Sequence, residues 1–495
     1  MTAPTVERSF DFGRISSAKI CLFSAVGFFG AACTEETTNA SFSHGDYDIT
    51  ANARLNDIVP TIVNVDWETE TAGYSHIIYG IDGELTESTP INEIAMVDHE
   101  MAMIGLKAGE TYSYQVVTMT ESGTELVSEV NTIELDPVPA ELPRVTISSY
   151  DENASQEGGF MLYSLVMSDD TWTVIVDRDG DYVWYAQGGE KTIIPTSKVG
   201  LDGMSILFTE NDSAQTDDVS TVTRIAMDGS SQTVTEVASG HHDFAELGDG
   251  NFGYLGMDFQ MFEIDGENLE IAGDTIVEIS EGSNRDGSNT EVFNAFDEYG
   301  EPWRPCTHFD GGAYGYPDMR DWTHANSIVY DQEEEAFYVM AKNLDAIWKI
   351  DRYTGALLWE MGGYNSDFSW ETTTQPWSHA HMSQMWSDGL VMFDNGFHHE
   401  KQVSRIVEYA YNDETMTMEE VFSYSDPDGA FSPLLGDVKK LPEGNYIASW
   451  MVSGRLTEIT PQGDVVWQAD MEVGNATSRV TWIEDLYDMQ TKLHW

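Results

Sequence analysis

The chain has 495 residues, with 23 Lys and Arg against 86 Asp and Glu, a formal net charge of −63. Its hydrophobic content of 41%, with 12% aromatic residues, can build a core, so most of the chain is not disordered despite the charge. A surface this acidic repels phosphate, which excludes non-specific nucleic-acid binding and electrostatic adhesion to an anionic membrane.

The N-terminus reads as an export signal. Arg8, Arg14 and Lys19 precede an apolar run at 20–32, too short to span a bilayer and suited to a signal h-region. The run ends Gly30-Ala31-Ala32-Cys33. Small residues before a cysteine at this place resemble a bacterial lipobox, so that Cys33 would become the lipidated first residue of the mature chain. Ordinary cleavage near Ala32 and an uncleaved anchor are the alternatives. Of the other cysteines, Cys21 lies in the signal, and Cys306 is left without an intramolecular partner if Cys33 is lipidated. No disulfide framework is expected, and Cys306 reads as a passive thiol.

Residues 34–53 are polar and acidic and read as a flexible tether. From 54 to 137 short strands alternate with turns, at 61–67, 75–79, 101–106, 111–119 and 128–135. The stretch Leu106-Lys107-Ala108-Gly109-Glu110-Thr111-Tyr112-Ser113-Tyr114 resembles the tyrosine corner of a fibronectin type III-like β-sandwich, with Trp67 as its core aromatic. Asp136-Pro137-Val138-Pro139 marks the boundary to the large domain, 138–495.

That domain repeats. One unit is a strand, a turn of D-x-x-G type and a strand ending near Trp. It occurs clearly at 174–184, 347–359 and 456–467, and more weakly at 223–234, 261–271 and 405–424. A second unit, two strands around a Gly or acidic turn, occurs at 195–208, 242–256, 324–340, 381–393 and 436–450. Two strands plus two strands, at a period of about 50–80 residues, make a propeller blade. A divergent sixth blade is expected to use 144–167 and close with C-terminal strands. The expected fold is all-β: a six-bladed β-propeller preceded by a small β-sandwich, with seven or eight blades as alternatives.

Histidines recur in the second unit. His242 lies eight residues before Gly250, His381 lies eight before Gly389, and His324 opens the same strand ahead of a longer turn. The first strand of a blade lines the central channel, so three successive inner strands would aim three imidazoles at one funnel. Such a cluster suits a metal site or nucleophilic catalysis. Lys342 and Arg320 stand near His324 in sequence, and these cations favour an anionic substrate over a metal dication. Asn326 adds a donor on the strand face of His324. No metal and no cofactor is expected. Asp177-Arg178-Asp179-Gly180-Asp181 lacks the EF-hand spacing and reads as a hairpin turn.

The block Asp321-Trp322-Thr323-His324-Ala325-Asn326 resembles the D-W-x-H-x-N strand of the aryl-sulfate sulfotransferase (arylsulfotransferase) family. Gly240-His241-His242-Asp243 is similar to that family's His-His-Asp block. His381 through Phe393-Asp394-Asn395-Gly396, and Gly436-Asp437 through Leu441-Pro442-Glu443-Gly444-Asn445, are similar to two later blocks. The blocks keep their order over roughly 145–490. The family is a bacterial, exported six-bladed propeller, often with an N-terminal β-sandwich. The resemblance implies transfer of a sulfuryl group from an aryl sulfate donor to a phenolic acceptor, without a nucleotide donor. His381 matches the family's nucleophile and would carry a sulfohistidine. His242 and His324 would bind sulfuryl oxygens or shuttle the phenol proton, and Asn326 would hold the strand or an oxygen. Two departures stand out. Lys342 replaces the family's Arg and loses the fork that grips two oxygens. Ala380 and Met382 flank His381 where polar residues are common. The alternatives are a non-catalytic envelope lipoprotein that binds a ligand or protein partner, and a metal enzyme on the same axis. An exposed strand edge in the sandwich would let two copies pair.

Overall fold

The computed structural model describes residues 49–489, except 167–170, 190–191, 213–219, 265, 286, 288, 301–318, 372–375 and 473–475. The export signal, Cys33, the tether up to residue 48 and Cys306 lie outside the described residues.

The N-terminal part is a seven-stranded β-structure folded over on itself. Its long strand Val63–Ile81 changes register between Glu68 and Gly73. The first half pairs with Ala51–Leu55 and Met96–Met103, the second with Thr111–Thr120. The end of the segment read as tether is therefore strand: Ala51 and Ala53 lie over the sandwich core. That core holds Val63, Val65, Trp67, Ile77, Tyr112, Tyr114 and Val116. Tyr112 Oη accepts the Lys107 backbone N–H at 2.9 Å, which ties the turn at 107–110 to the strand that follows it.

Six sheets follow, arranged as the blades of a propeller. Blade 4 shows the pattern: Ala325–Asp331 innermost, then Ala336–Ala341, Ala346–Asp351 and Leu357–Gly362, all antiparallel. Blades 2, 3, 5 and 6 open with the inner strands Ser197–Val199, Phe244–Glu246, His381–Trp386 and Asp437–Lys440. Inner strands touch around the axis from blade 3 through blades 4, 5, 6 and 1 to blade 2, and the Lys198 side chain of blade 2 donates to the Phe244 carbonyl of blade 3. The tryptophans that end the repeat hairpins, Trp184, Trp359 and Trp467, are buried. Blades splay outward from the axis, and the indole rings help fill the wedge between neighbours. Trp467 of blade 6, for example, packs with Met161, Trp172 and Val174 of blade 1.

Blade 1 closes the ring from both ends of the chain. Its innermost strand is Ala476–Ile483, followed outward by Phe160–Val166, Thr171–Val176 and Tyr182–Gln187. The segment expected to form one divergent blade is divided. Thr146–Tyr150 becomes the outermost strand of blade 6, while Phe160–Val166 joins blade 1. A second difference concerns 261–271, read as an outer hairpin. Asn251–Ile264 and Glu267–Ser280 pair over their whole length, so this turn joins the second and third strands of blade 3. The reversal falls at Gly266, whose φ of +84° suits it.

Polar clamps lock the seams. Lys107 of the sandwich places its ammonium 3.0, 3.2 and 2.6 Å from Asp177, Asp179 and Asp181 of the blade 1 hairpin. Beside it, Arg178 Nη1 lies 2.6 Å from Glu458 Oε2 of blade 6, with both side chains buried. Glu458 also accepts the Gln156 N–H and the Asn445 amide. Removing one member of such a pair strands a buried charge. Arg178→Met should therefore cost about 3–5 kcal/mol in denaturant unfolding, and Arg178→Met with Glu458→Leu should recover most of that loss.

Candidate active site

The three histidines singled out by the repeat meet on one face of the propeller axis. His242 and His324 stand just before the inner strands of blades 3 and 4, with their ring centroids 4.9 Å apart. Both have left-handed backbones, φ +53° and +50°. That conformation costs about 1–2 kcal/mol for a residue with a Cβ and persists where surroundings enforce it. His381 is the first residue of the blade 5 inner strand and is buried. Its register departs from the sequence alignment. The left-handed residue that opens blade 5 is His379, φ +54°. Matching loop bonds, Asn343 N–H to the Thr323 carbonyl and Gly396 N–H to the Ser378 carbonyl, equate His379 with His324. His381 therefore occupies the place of Asn326, and the equal eight-residue spacings to Gly250 and Gly389 concealed a two-residue offset.

Hydrogen-bond logic fixes each tautomer. Asn395 donates its amide to the Ser432 and Leu435 carbonyls at 2.6 and 2.9 Å. Its Oδ1 therefore faces His381 Nδ1, 2.8 Å away, as an acceptor. His381 carries its proton on Nδ1 and its lone pair on Nε2. His324 Nδ1 lies 2.5 Å from the Asp321 carboxylate, which leaves the lone pair on Nε2 again. His242 reaches the same state through a relay. His241 Nε2 faces two acceptors, Asp274 Oδ1 at 3.0 Å and the Gly256 carbonyl at 3.3 Å, so it is the protonated nitrogen. His241 Nδ1 then accepts from His242 Nδ1, 2.9 Å away.

Burial and neighbouring cations keep all three rings neutral. Burial, opposed by the Asn395 hydrogen bond and aided by Arg479 and Lys342, pushes His381 down to about 3. Burial and then Lys342 hold His324 well below the usual imidazole range. His242 is lowered well below it too, by burial and then by His324, His241, His381 and Lys342. Lys342 thus acts electrostatically on all three. It opens the short 3-10 turn Lys342–Leu344 and is fully buried, and its backbone N–H donates to the His324 carbonyl at 3.2 Å.

Asn326 and Arg320 fare differently. Asn326 donates to the Ala380 carbonyl at 3.0 Å, so it ties blade 4 to the residue before His381. It holds a strand, the first of the two roles considered for it. Arg320 is exposed between buried Met319 and Asp321. Alternation along a strand sends its side chain away from the face of Asp321, and the structure does not bring it into the histidine cluster. Asp177, Asp179 and Asp181 alone, among the described residues, bring three candidate ligand atoms within 4.8 Å of one another. The axial imidazoles do not form such a set.

Two residues escaped the sequence reading. Asn395 lay in the quoted Phe393-Asp394-Asn395-Gly396 block but received no role. Arg479 lies in the last strand, outside the repeat. Its Nη2 donates to Asp243 at 3.0 Å, to the Asn326 carbonyl at 3.1 Å and to Ser327 Oγ at 2.9 Å, while Nη1 lies 3.3 Å from Asp437. Lys198 completes the cluster, 2.8 Å from Asp243. Burial pushes the Asp243 carboxyl up, but Lys198 and Arg479 hold it below its ordinary value. The one signal for Arg479 was a basic residue in the final strand of a very acidic chain.

The lowered imidazoles link stability to pH. A histidine that stays neutral when folded takes up its proton first in the unfolded chain. Its contribution is therefore complete above about pH 6.5 and is lost as pH falls toward the folded value. Over about pH 6 to 4, between the unfolded value and its folded value of about 3, His381 steepens the fall by about 1.4 kcal/mol per pH unit. His381→Gln should flatten the wild-type stability profile by about that slope in urea titrations across this range.

The family model described as "Arylsulfotransferase (ASST)" matches residues 146–477, the propeller from its outer seam strand to the start of its last inner strand. No curated protein matches the chain. Among solved structures, a protein of unknown function from Bacteroides caccae is 16% identical over 66% of this chain and 100% of its own, with a TM-score of 0.39. A periplasmic gluconolactonase from Pseudomonas aeruginosa is 11% identical over 65% of this chain and 99% of its own, TM-score 0.36. A streptogramin B lyase is 13% identical over 65% and 86%, TM-score 0.35. Likenesses this distant say nothing about the activity of the chain. The family match spans two thirds of the sequence and contains all three axial histidines, Asn326 and Lys342, and on that ground the chain belongs to the arylsulfotransferase family.

Proposed function

We propose that the chain transfers a sulfuryl group from an aryl sulfate ester to a phenol through a covalent sulfohistidine at His381. The observation that carries this reading is the His381–Asn395 bond, which commits Nδ1 and leaves Nε2 as a neutral, nucleophilic nitrogen beside a buried cation. In the first step Nε2 attacks sulfur, the S–N bond forms, and the S–O bond to the aryl group breaks. The phenolate leaves with the electron pair of the broken S–O bond. In the second step the acceptor phenol gives its proton to the Nε2 lone pair of His324 as its oxygen attacks sulfur. The S–N bond breaks, His381 returns to its neutral form, and His324 passes the proton on to the released phenolate or to water. The Asp321 carboxylate stabilises the transient imidazolium of His324. Lys342 balances the sulfuryl oxygens as charge builds on them, a preorganised electrostatic role. The His241–Asp274 relay holds the His242 ring in the same neutral tautomer.

Within the same proposal the chain is exported, anchored to the cell envelope through a lipidated Cys33, and carries a fibronectin type III-like sandwich that offers an edge for pairing of two copies. The Tyr112–Lys107 contact supports the sandwich assignment.

The test is incubation of the chain with a chromogenic aryl sulfate and a second phenol, with mass spectrometry of the peptide containing His381. Acceptor-dependent phenol release with a sulfuryl adduct on that peptide is expected, and both should vanish in His381→Ala. Turnover that persists in His381→Ala, or an adduct on another residue, would overturn the assignment. Lys342→Met should lower kcat about 100- to 1,000-fold, the scale for loss of one oxyanion partner, whereas Lys342→Arg should retain activity.

A further inference from the structure

The mouth of the channel beside His381 carries an aromatic surface that the chemistry above does not use. His381 opens the inner strand of blade 5, and Asn395 follows that blade's second strand, Gly389–Asp394. Antiparallel pairing puts both on the face of the propeller where inner strands begin. Three loops rise there together: the one after Asn395, the one before Asp437, and the turn Met451–Ser453 after the second strand of blade 6. On the first loop Phe397 stacks on the buried His379, with centroids 5.1 Å apart and planes 16° apart. On the second, Phe431 lies 6.1 Å from Phe397. Both phenylalanines are only partly buried. Leu434 and Val452, on the second loop and the turn, are 40% and 51% exposed.

These groups are physically joined to the nucleophile. The Asn395 amide that orients His381 also holds the Ser432 and Leu435 carbonyls, so it fixes the loop that bears Phe431 and Leu434. The Val452 N–H reaches Ser432 Oγ at 3.4 Å. An apolar wall of two rings tilted 48° to one another is thereby held near His381, on the rim of a channel whose floor is charged.

We propose that Phe397 and Phe431, with Leu434 and Val452 beside them, form an aryl-binding subsite that takes the ring of the acceptor phenol and favours acceptors larger than one ring. Naming the occupant as an acceptor phenol rests on the sulfuryl-transfer reading. Offset or edge-on contacts with Phe397 and Phe431 suit a flat fused ring, and Leu434 and Val452 cover its outer edge. A second ring adds apolar area whose burial strengthens binding about tenfold.

The experiment titrates the full chain bearing His381→Asn, which cannot accept the sulfuryl group, with 2-naphthol (followed by its fluorescence) and with phenol as competitor. Naphthol should bind about tenfold more tightly than phenol. Adding Phe397→Leu and Phe431→Leu should weaken naphthol about tenfold and phenol far less, while Phe397→Tyr, which keeps the ring and controls for folding, should bind naphthol like the parent. Unchanged naphthol affinity in the double Leu variant, or an equal loss for both ligands, would overturn the subsite. Failure of the activity is a separate outcome. If naphthol binding depends on Phe397 while the wild-type chain transfers nothing, the aryl site stands and the sulfuryl-transfer reading falls. If the wild type transfers sulfate with no preference between naphthol and phenol, the reading stands and the subsite falls.

Discussion

The guanidinium of Arg479 holds the inner ring of the propeller together. From the innermost strand of blade 1 it reaches Asp243 of blade 3, the Asn326 carbonyl and Ser327 of blade 4, and Asp437 of blade 6. The positions of two of the three histidines follow from it. Asp243 adjoins His242, and Asn326 is bonded to the residue before His381. Asp243 and Asp437 also accept the Ile328 and Val480 N–H groups, so the carboxylates are satisfied on several sides. A buried charge arrangement of this kind contributes little net stability against an apolar substitute. What it supplies is a cost for misregister: a shifted inner strand would leave one of these buried charges without its partner.

Above that network, burial does work that an exposed site could not. An imidazole in water is partly protonated near neutral pH and is then no nucleophile. Enclosure by the channel keeps the three rings neutral, and Lys342 supplies the positive charge that neutral rings lack. Although the chain carries only 23 basic residues, four of them, Lys198, Lys342, Lys439 and Arg479, gather around the axis. The acidic exterior repels an aryl sulfate at long range, while these cations attract it at short range. Salt screens exposed charges beyond roughly 10 Å and buried ones far less, so raising ionic strength removes more of the repulsion than of the attraction.

The sequence made the blades legible because their determinants are local. A Trp at the end of the three clearest hairpins fills the wedge between blades, and Gly-containing turns mark the reversals, so the period can be counted. The histidine cluster was legible for the same reason, although His381 and His379 exchanged places in the register. The seam was not legible. Ala476–Ile483 pairs with Phe160–Val166 across more than 300 residues, and nothing local announces such a partner. Asn395 and Arg479 escaped because each acts once, through contacts that no repeat predicts. Arg320 misled for the converse reason: it is adjacent to the site in sequence but faces away from it in space.

The closure of blade 1 has a consequence for how the protein comes into being. A ribosome delivers the chain from the N-terminus at roughly 5–20 residues per second, and segments fold as they appear. Blades 2 to 5 can assemble in that order. The inner edge of Phe160–Val166 stays unpaired until Ala476–Ile483 emerges, some 300 residues later. That same late strand brings Arg479. The histidines can therefore be in place only roughly, their registry unset, until almost the whole chain has been made. A premature stop just before Ala476–Ile483 yields a protein whose first blade lacks its innermost strand, with an open sheet edge prone to pairing with other chains and without Arg479 at its centre.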